Sequence, residues 1–232
     1  MLKRMAKAVK QGFAKAQSNL GCLYVEGLSV EQDFEKAVKW YRKAADQGDA
    51  YGQSCLGKMY EDGLGVKQDY EEALKWYRKA VEQGDAYGQS CLGRMYEYGL
   101  GVEQDFEKAL KWYRRAAEQG DSIAQNTLGA MYDQGKGVEQ DYEEAVKWYR
   151  KAAGQGDAEA QFILGVMHQN GDGMPEDILT AHVWFDIAVS NGEVSAKQSK
   201  ELIAEDMTPD QIAKAEALVK EMVKKNPKLL KK

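Results

Sequence analysis

Proline and histidine are nearly missing from this chain, with 3 and 2 among 232 residues, and cysteine stops at 3. With so little proline, and no strand-like alternation of apolar residues, nothing interrupts long helical patterns. Two histidines fall short of a zinc site, which takes three or four ligands at set spacings. The faint calcium-loop look of Asn170-Gly-Asp172-Gly is absorbed by glycines that the loops carry throughout. P-loop, nucleophile elbow and zinc-protease helix are all absent, so no motif gathers groups into a catalytic centre. The chain reads as a non-enzyme that uses no metal and no cofactor. Cys22, Cys55 and Cys91 cannot all pair with one another. Cys55 and Cys91 also fall at the same point of successive units, on helices roughly 10 Å apart and out of disulfide reach. All three are expected as buried or half-buried thiols of a reducing compartment.

Long apolar runs are lacking too, both at the N-terminus, where a secretory signal would show one, and elsewhere, which excludes direct membrane insertion through a helix. The chain is expected to be soluble and cytoplasmic as written, or periplasmic or secreted if an upstream signal peptide has been removed. The net charge is −5, and the basic residues gather at the two ends. An acidic array with basic tips has no basic stripe along its length, so nucleic acid is not the expected partner.

What the chain does have is repetition. Trp40, Trp76, Trp112, Trp148 and Trp184 recur every 36 residues, the kind of period that marks a solenoid of stacked units. Residues 83–118 make the clearest unit, with copies at 47–82 and 119–154 and looser ones at 11–46 and 155–190. In that unit Asp85 suits the N-cap of a first helix carrying Leu92, Met95 and Tyr96, which stops at Gly99. A loop through Gly101 and Val102 leads to a second helix opened by Asp105. Its buried stripe is Ala109, Trp112, Tyr113 and Ala116, with the tryptophan between helices. Ser29 replaces the loop glycine in the first unit. Capping boxes are expected at Asp69 with Glu72 and at Asp141 with Glu144. His168 and His182 occupy positions that are aromatic or aliphatic in the other units, so both are expected in the core.

Residues 1–10 match a second helix and form either a cap or a truncation point. Residues 191–227 read as terminal cap helices, the last opened by Thr208-Pro-Asp-Gln211. It places Ile212, Ala215, Val219 and Met222 on one side and a polar face on the other. Residues 228–232 are expected as a disordered basic tail.

The succession L-G-x-M-Y, G-x-G-V-x-Q-D and A-x-K-W-Y-R-K-A at this spacing resembles the Sel-one-like repeat family, relatives of the tetratricopeptide repeats. That resemblance implies an all-α, right-handed α/α superhelical solenoid of about five helix hairpins whose first helices line a concave face. It also implies a non-enzymatic bacterial scaffold or adaptor that binds another protein or peptide there. An immunity or regulatory protein sequestering one cognate toxin or enzyme is the alternative within binding. A β-lactam-binding hydrolase is implied only by cysteine-rich relatives, whose bridged pairs this chain lacks. Projection onto the family's geometry puts Tyr51, Lys58 and Asp62 on the concave side of the second unit, with Ser54 and Glu61. Tyr87, Arg94 and Tyr98 follow from the third unit, with Ser90 and Glu97. Asn126 belongs to the fourth and Phe162 to the fifth. Aromatic side chains and an arginine are the types that dominate interface energetics, and Arg94 is expected to pair with a partner's carboxylate or to stack its guanidinium.

Overall fold

The structure, a computed structural model, describes residues 9 and 11–231. Among the described residues there are twelve α-helices and no strand. The hairpins are α1 (Ala14–Glu26) with α2 (Phe34–Asp46), α3 (Ala50–Asp62) with α4 (Tyr70–Glu82), and α5 (Ala86–Tyr98) with α6 (Phe106–Glu118). They continue with α7 (Ser122–Gln134) and α8 (Tyr142–Ala153), then α9 (Ala158–Asn170) and α10 (Ile178–Ser190). Two further helices, α11 (Val194–Ala204) and α12 (Pro209–Lys225), and a 3-10 turn at Pro227–Leu229 close the chain. The architecture is an all-α solenoid of hairpin repeats. It divides between Ala116 and Ala117 into two compact units. The helix expected over residues 1–10 lies outside the described residues except for Val9, which is helical and buried.

Local chemistry explains the recurring boundaries. A glycine with positive φ ends the turn before a first helix, as at Gly48 (88°) and Gly84 (84°). The next aspartate then accepts from the backbone N–H three residues on, Asp85 from Gly88 at 2.7 Å. Ser29 keeps the left-handed loop conformation without being glycine, at φ 66°. The capping boxes at Asp69 and Asp141 form only by half. Each carboxylate accepts from the expected N–H, but the aspartate's own N–H goes to the carbonyl of Tyr60 (2.9 Å) or Tyr132 (3.0 Å). Glu72 and Glu144, left without that N–H, pair instead with Lys75 and Lys147. The full box forms at Thr208 and Gln211.

In unit 1, α1, α3 and α5 lie side by side, and each hairpin closes around an aromatic ring on a glycine. A Cβ on Gly57 would stand 2.7 Å from the Tyr77 ring, so only glycine admits that approach. Tyr77 and its counterparts Tyr41, Tyr113, Tyr149 and Phe185 are all buried. Trp112, expected in the core, is half-buried, as is Trp40. Trp76, Trp148 and Trp184 are buried, and in the first four repeats a cation covers the ring, as Lys79 does Trp76 at 4.2 Å and Arg115 does Trp112 at 4.8 Å.

Buried glutamines set the register. Gln83 donates to Gln53 at 2.8 Å and Gln47 to Gln17 at 2.7 Å, while Gln53 donates to the Ala45 carbonyl at 3.3 Å. Unit 2 repeats the pattern, Gln155 to Gln125 at 2.8 Å and Asn191 to Gln161 at 2.7 Å. These bonds tie adjacent repeats through groups that would be costly to leave unpaired.

Unit 2 ends with α11 and α12 on α10. Ala215 of α12 is buried, Ile212, Val219 and Met222 are half-buried, and Lys214, Glu216, Lys220 and Lys224 are exposed. The described part of the tail is docked rather than disordered. Leu229 is buried, and its carbonyl accepts from Gln161 (2.8 Å) and Asn191 (2.6 Å), so it takes up donors that the last repeat would otherwise leave open. His168 and His182 are buried, both with an unpartnered Nδ1. Among the described residues, no helix is long and apolar enough to cross a membrane.

Candidate functional site

On α3 the side chains of Tyr51, Cys55, Lys58, Met59 and Asp62 fall three and four residues apart and so share one stripe. In unit 1 that stripe lines a cavity of about 280 Å³. Cys22, Val25 and Glu26 of α1, Tyr41 of α2, Leu64 of the loop and Tyr87 of α5 complete the lining. The rings of Tyr51 and Tyr87 sit 6.3 Å apart, tilted at 47°, a geometry that favours aromatic contact. Lys58 and Asp62 pair at 2.7 Å along the rim. Its volume is near the lower bound of pockets that hold whole small molecules and leaves room for a single side chain.

Four of the eight sequence-predicted residues, Tyr51, Lys58, Asp62 and Tyr87, therefore come together. Arg94 stands beside them but is engaged. Its Nη2 lies 2.6 Å from Glu61 Oε1, close enough for an ion pair though off the hydrogen-bond direction, and its Nε has no hydrogen-bond partner. Glu61 is buried and also accepts from Tyr77 Oη at 2.7 Å. Ser54 is buried as well, with its hydroxyl on Asp85 at 2.6 Å, and Ser90 is buried. Tyr98 is 62% exposed at the end of α5. The other two residues belong to unit 2. Asn126 donates to Glu159 at 2.9 Å across neighbouring first helices, and Phe162 packs on Phe185 with ring centres 5.7 Å apart.

The pocket's phenols stay protonated, since burial raises the pKa of both Tyr51 and Tyr87, with neighbouring thiols adding to the effect. Cys22, Tyr41 and Cys55 were not among the predicted site residues. Tyr41 Oη donates to Cys22 Sγ at 3.4 Å, and Tyr51 Oη lies 3.5 Å from the same sulfur. The offset in sequence could have found the two cysteines. They stand 33 residues apart, as do the bonded Asn126 and Glu159. Among the described residues, no group of three or more His, Cys, Asp or Glu is placed to hold a metal ion.

Comparison with known proteins gives a family model, the Sel1 repeat, matching residues 14–49, 50–85, 86–121, 122–157 and 158–193. A solved Sel1 repeat protein from Oxalobacter formigenes is 42% identical, covers 82% of this chain and 76% of its own, and superposes with a TM-score of 0.72. An immunity protein from Pseudomonas aeruginosa is 28% identical over 80% of this chain and 71% of its own, with a TM-score of 0.59. A second immunity protein from that organism is 25% identical over 87% and 72%, at 0.56. No curated protein matches the chain.

Proposed function

Because the chain belongs to the Sel1 repeat family, whose repeats mediate protein–protein interaction, we propose that it is a non-enzymatic scaffold holding a partner segment against the first-helix face of unit 1. The observation that carries this reading is the cavity under Tyr51 and Tyr87, an apolar socket with a tilted aromatic pair and a charged rim at Lys58 and Asp62. A buried anchor in such a socket, ringed by polar contacts, is how interfaces concentrate their binding energy. Arg94 contributes by exchange, trading part of its contact with Glu61 for a carboxylate of the partner. Tyr98 would extend the contact on unit 1, and Asn126 and Phe162 would offer a separate contact on unit 2. Free thiols at Cys22, Cys55 and Cys91 support the cytoplasm as the place of work.

The test starts from affinity capture with the full chain and proceeds to calorimetry on the captured partner. Tyr51→Ala and Tyr87→Ala should each weaken binding by about 2 kcal/mol or more, the hot-spot threshold, while Lys111→Ala on the exposed side of α6 leaves it unchanged. Equal losses from all three would place the partner elsewhere.

The likeness to two immunity proteins favours a second reading, sequestration of one cognate toxin or enzyme. A single stoichiometric partner in the capture supports it, and several substoichiometric ones support the adaptor. Nitrocefin turnover, expected to be nil, separates both from a β-lactam hydrolase.

A further inference from the structure

The pocket wall carries chemistry that docking does not use. We propose that Cys22 and Cys55 form a thiol–disulfide exchange site, in which Cys22 attacks a low-molecular-weight disulfide entering the pocket and Cys55 resolves the product. Cys22 is half-buried on α1, Cys55 is buried on the adjacent α3, and both line the same cavity. Tyr41 Oη donates to Cys22 Sγ at 3.4 Å, and Tyr51 Oη, 3.5 Å from the same sulfur, donates to it once Cys22 has lost its proton. Hydrogen-bond donors aimed at sulfur stabilise the thiolate, which is the nucleophile.

The two thiols are unlike because their surroundings are. A hydrogen bond from Cys55, opposed by burial and reinforced by Tyr41 and Tyr51, lowers the Cys22 pKa to about 6. The same contact and burial raise that of Cys55, so its proton stays on until Cys22 has lost its charge. Cys91 has Lys58 in the place where Cys55 has Cys22, and burial pushes it up to about 11. It has no resolving partner and serves as an internal control.

The exchange balances in two displacements. The Cys22 thiolate attacks RS–SR, forming Cys22–SR and releasing RS⁻. The RS⁻ so released takes the Cys55 proton, the Cys55 thiolate attacks Cys22 Sγ, and the Cys22–SR bond breaks to release a second RS⁻. Two protein thiols are oxidised by two electrons, and one disulfide is reduced to two thiols. The new bond joins α1 to α3 in the cavity lining, beside Tyr51. Whether the cavity also receives a partner does not enter these steps.

The full chain is tested with iodoacetamide and with oxidised glutathione, reading each cysteine by peptide mass spectrometry. Alkylation of Cys22 should reach half its maximum rate near pH 6. Its rate relative to free glutathione should fall about 40-fold from pH 6 to pH 8, the ratio expected against a thiol of pKa about 8.5, with access and intrinsic nucleophilicity cancelling. Oxidised glutathione at pH 7 should convert the wild type to a Cys22–Cys55 disulfide. Cys55→Ser should accumulate the glutathione adduct on Cys22, and Cys22→Ser should leave Cys55 and Cys91 unmodified, circular dichroism confirming that both variants fold. A Cys22 rate that tracks glutathione across the pH range, or a wild type that stops at the mixed adduct, overturns the proposal.

Discussion

Replacing Gly65 by alanine should weaken unit 1 more than any change of one methyl group on an open turn. Gly65 has φ 68°, and a Cβ there would stand 2.4 Å from the carbonyl carbon and oxygen of Phe34 and 2.7 Å from the Glu35 nitrogen. Those are backbone atoms at the start of α2, which cannot rotate aside as a side-chain tip can. Gly48 provides the comparison, with φ 88° and nothing within 4 Å of the added carbon. Both variants incur the left-handed penalty of about 1–2 kcal/mol, and Gly65→Ala adds overpacking of about 1–3 kcal/mol. The expected losses are therefore about 2–5 kcal/mol for Gly65→Ala and about 1–2 kcal/mol for Gly48→Ala. Urea unfolding followed by circular dichroism and tryptophan fluorescence measures both. Equal losses would show that the loop of one repeat does not bear on the backbone of the one before it, and the account of how these hairpins stack would fall.

Ser29→Gly should act in the opposite sense, raising stability by about 1 kcal/mol through relief of a left-handed non-glycine residue, and an unchanged or lowered urea midpoint would argue against strain there. The two histidines of unit 2 predict a pH dependence. Burial lowers the pKa of His168, with Arg150 adding and Asp177 opposing, and that of His182, with Lys200 adding and Asp186 and Glu216 opposing. Below about pH 6.5 the unfolded chain takes up protons that the folded chain refuses, so stability should fall as pH drops from there toward the lowered folded values. His168→Tyr with His182→Val, the residues of the fourth repeat at these places, should flatten the melting temperature between pH 7 and pH 5, and an equally steep profile in the double variant would count against this assignment.

The fold was legible because its determinants recur. Period, caps, loop glycines and the aromatic stripe appear in unit after unit, and averaging over copies removes the ambiguity of any single helix. Two features escaped for physical reasons. Glutamate three residues after an N-cap aspartate suggested a reciprocal box, but at Asp69 the N–H is already bonded to Tyr60, a contact set by the fold of the loop rather than by local sequence. The glutamines at 17, 53, 89, 125 and 161 recur as faithfully as the tryptophans yet are polar, so a search for apolar periodicity passes over them. All are buried, and Gln17, Gln53, Gln125 and Gln161 each meet a carbonyl or another amide of a neighbouring repeat, Gln161 the docked tail as well.

The candidate site was legible only in part, because it arises where the repeats depart from one another. In the second and third repeats the buried tyrosine gives its hydroxyl proton to a carboxylate, Tyr77 to Glu61 and Tyr113 to Glu97, both at 2.7 Å. The first repeat has Val25 where those glutamates stand. Tyr41 thus has no carboxylate at that position, and its hydroxyl donates to Cys22. One exchange of Glu for Val makes the cavity wall apolar and frees a phenol to donate to sulfur. Conversely, where Glu61 is present it recruits Arg94 from the next first helix, and the same stretch of surface is filled by an ion pair. Pocket and ion pair are two outcomes of one position in the repeat.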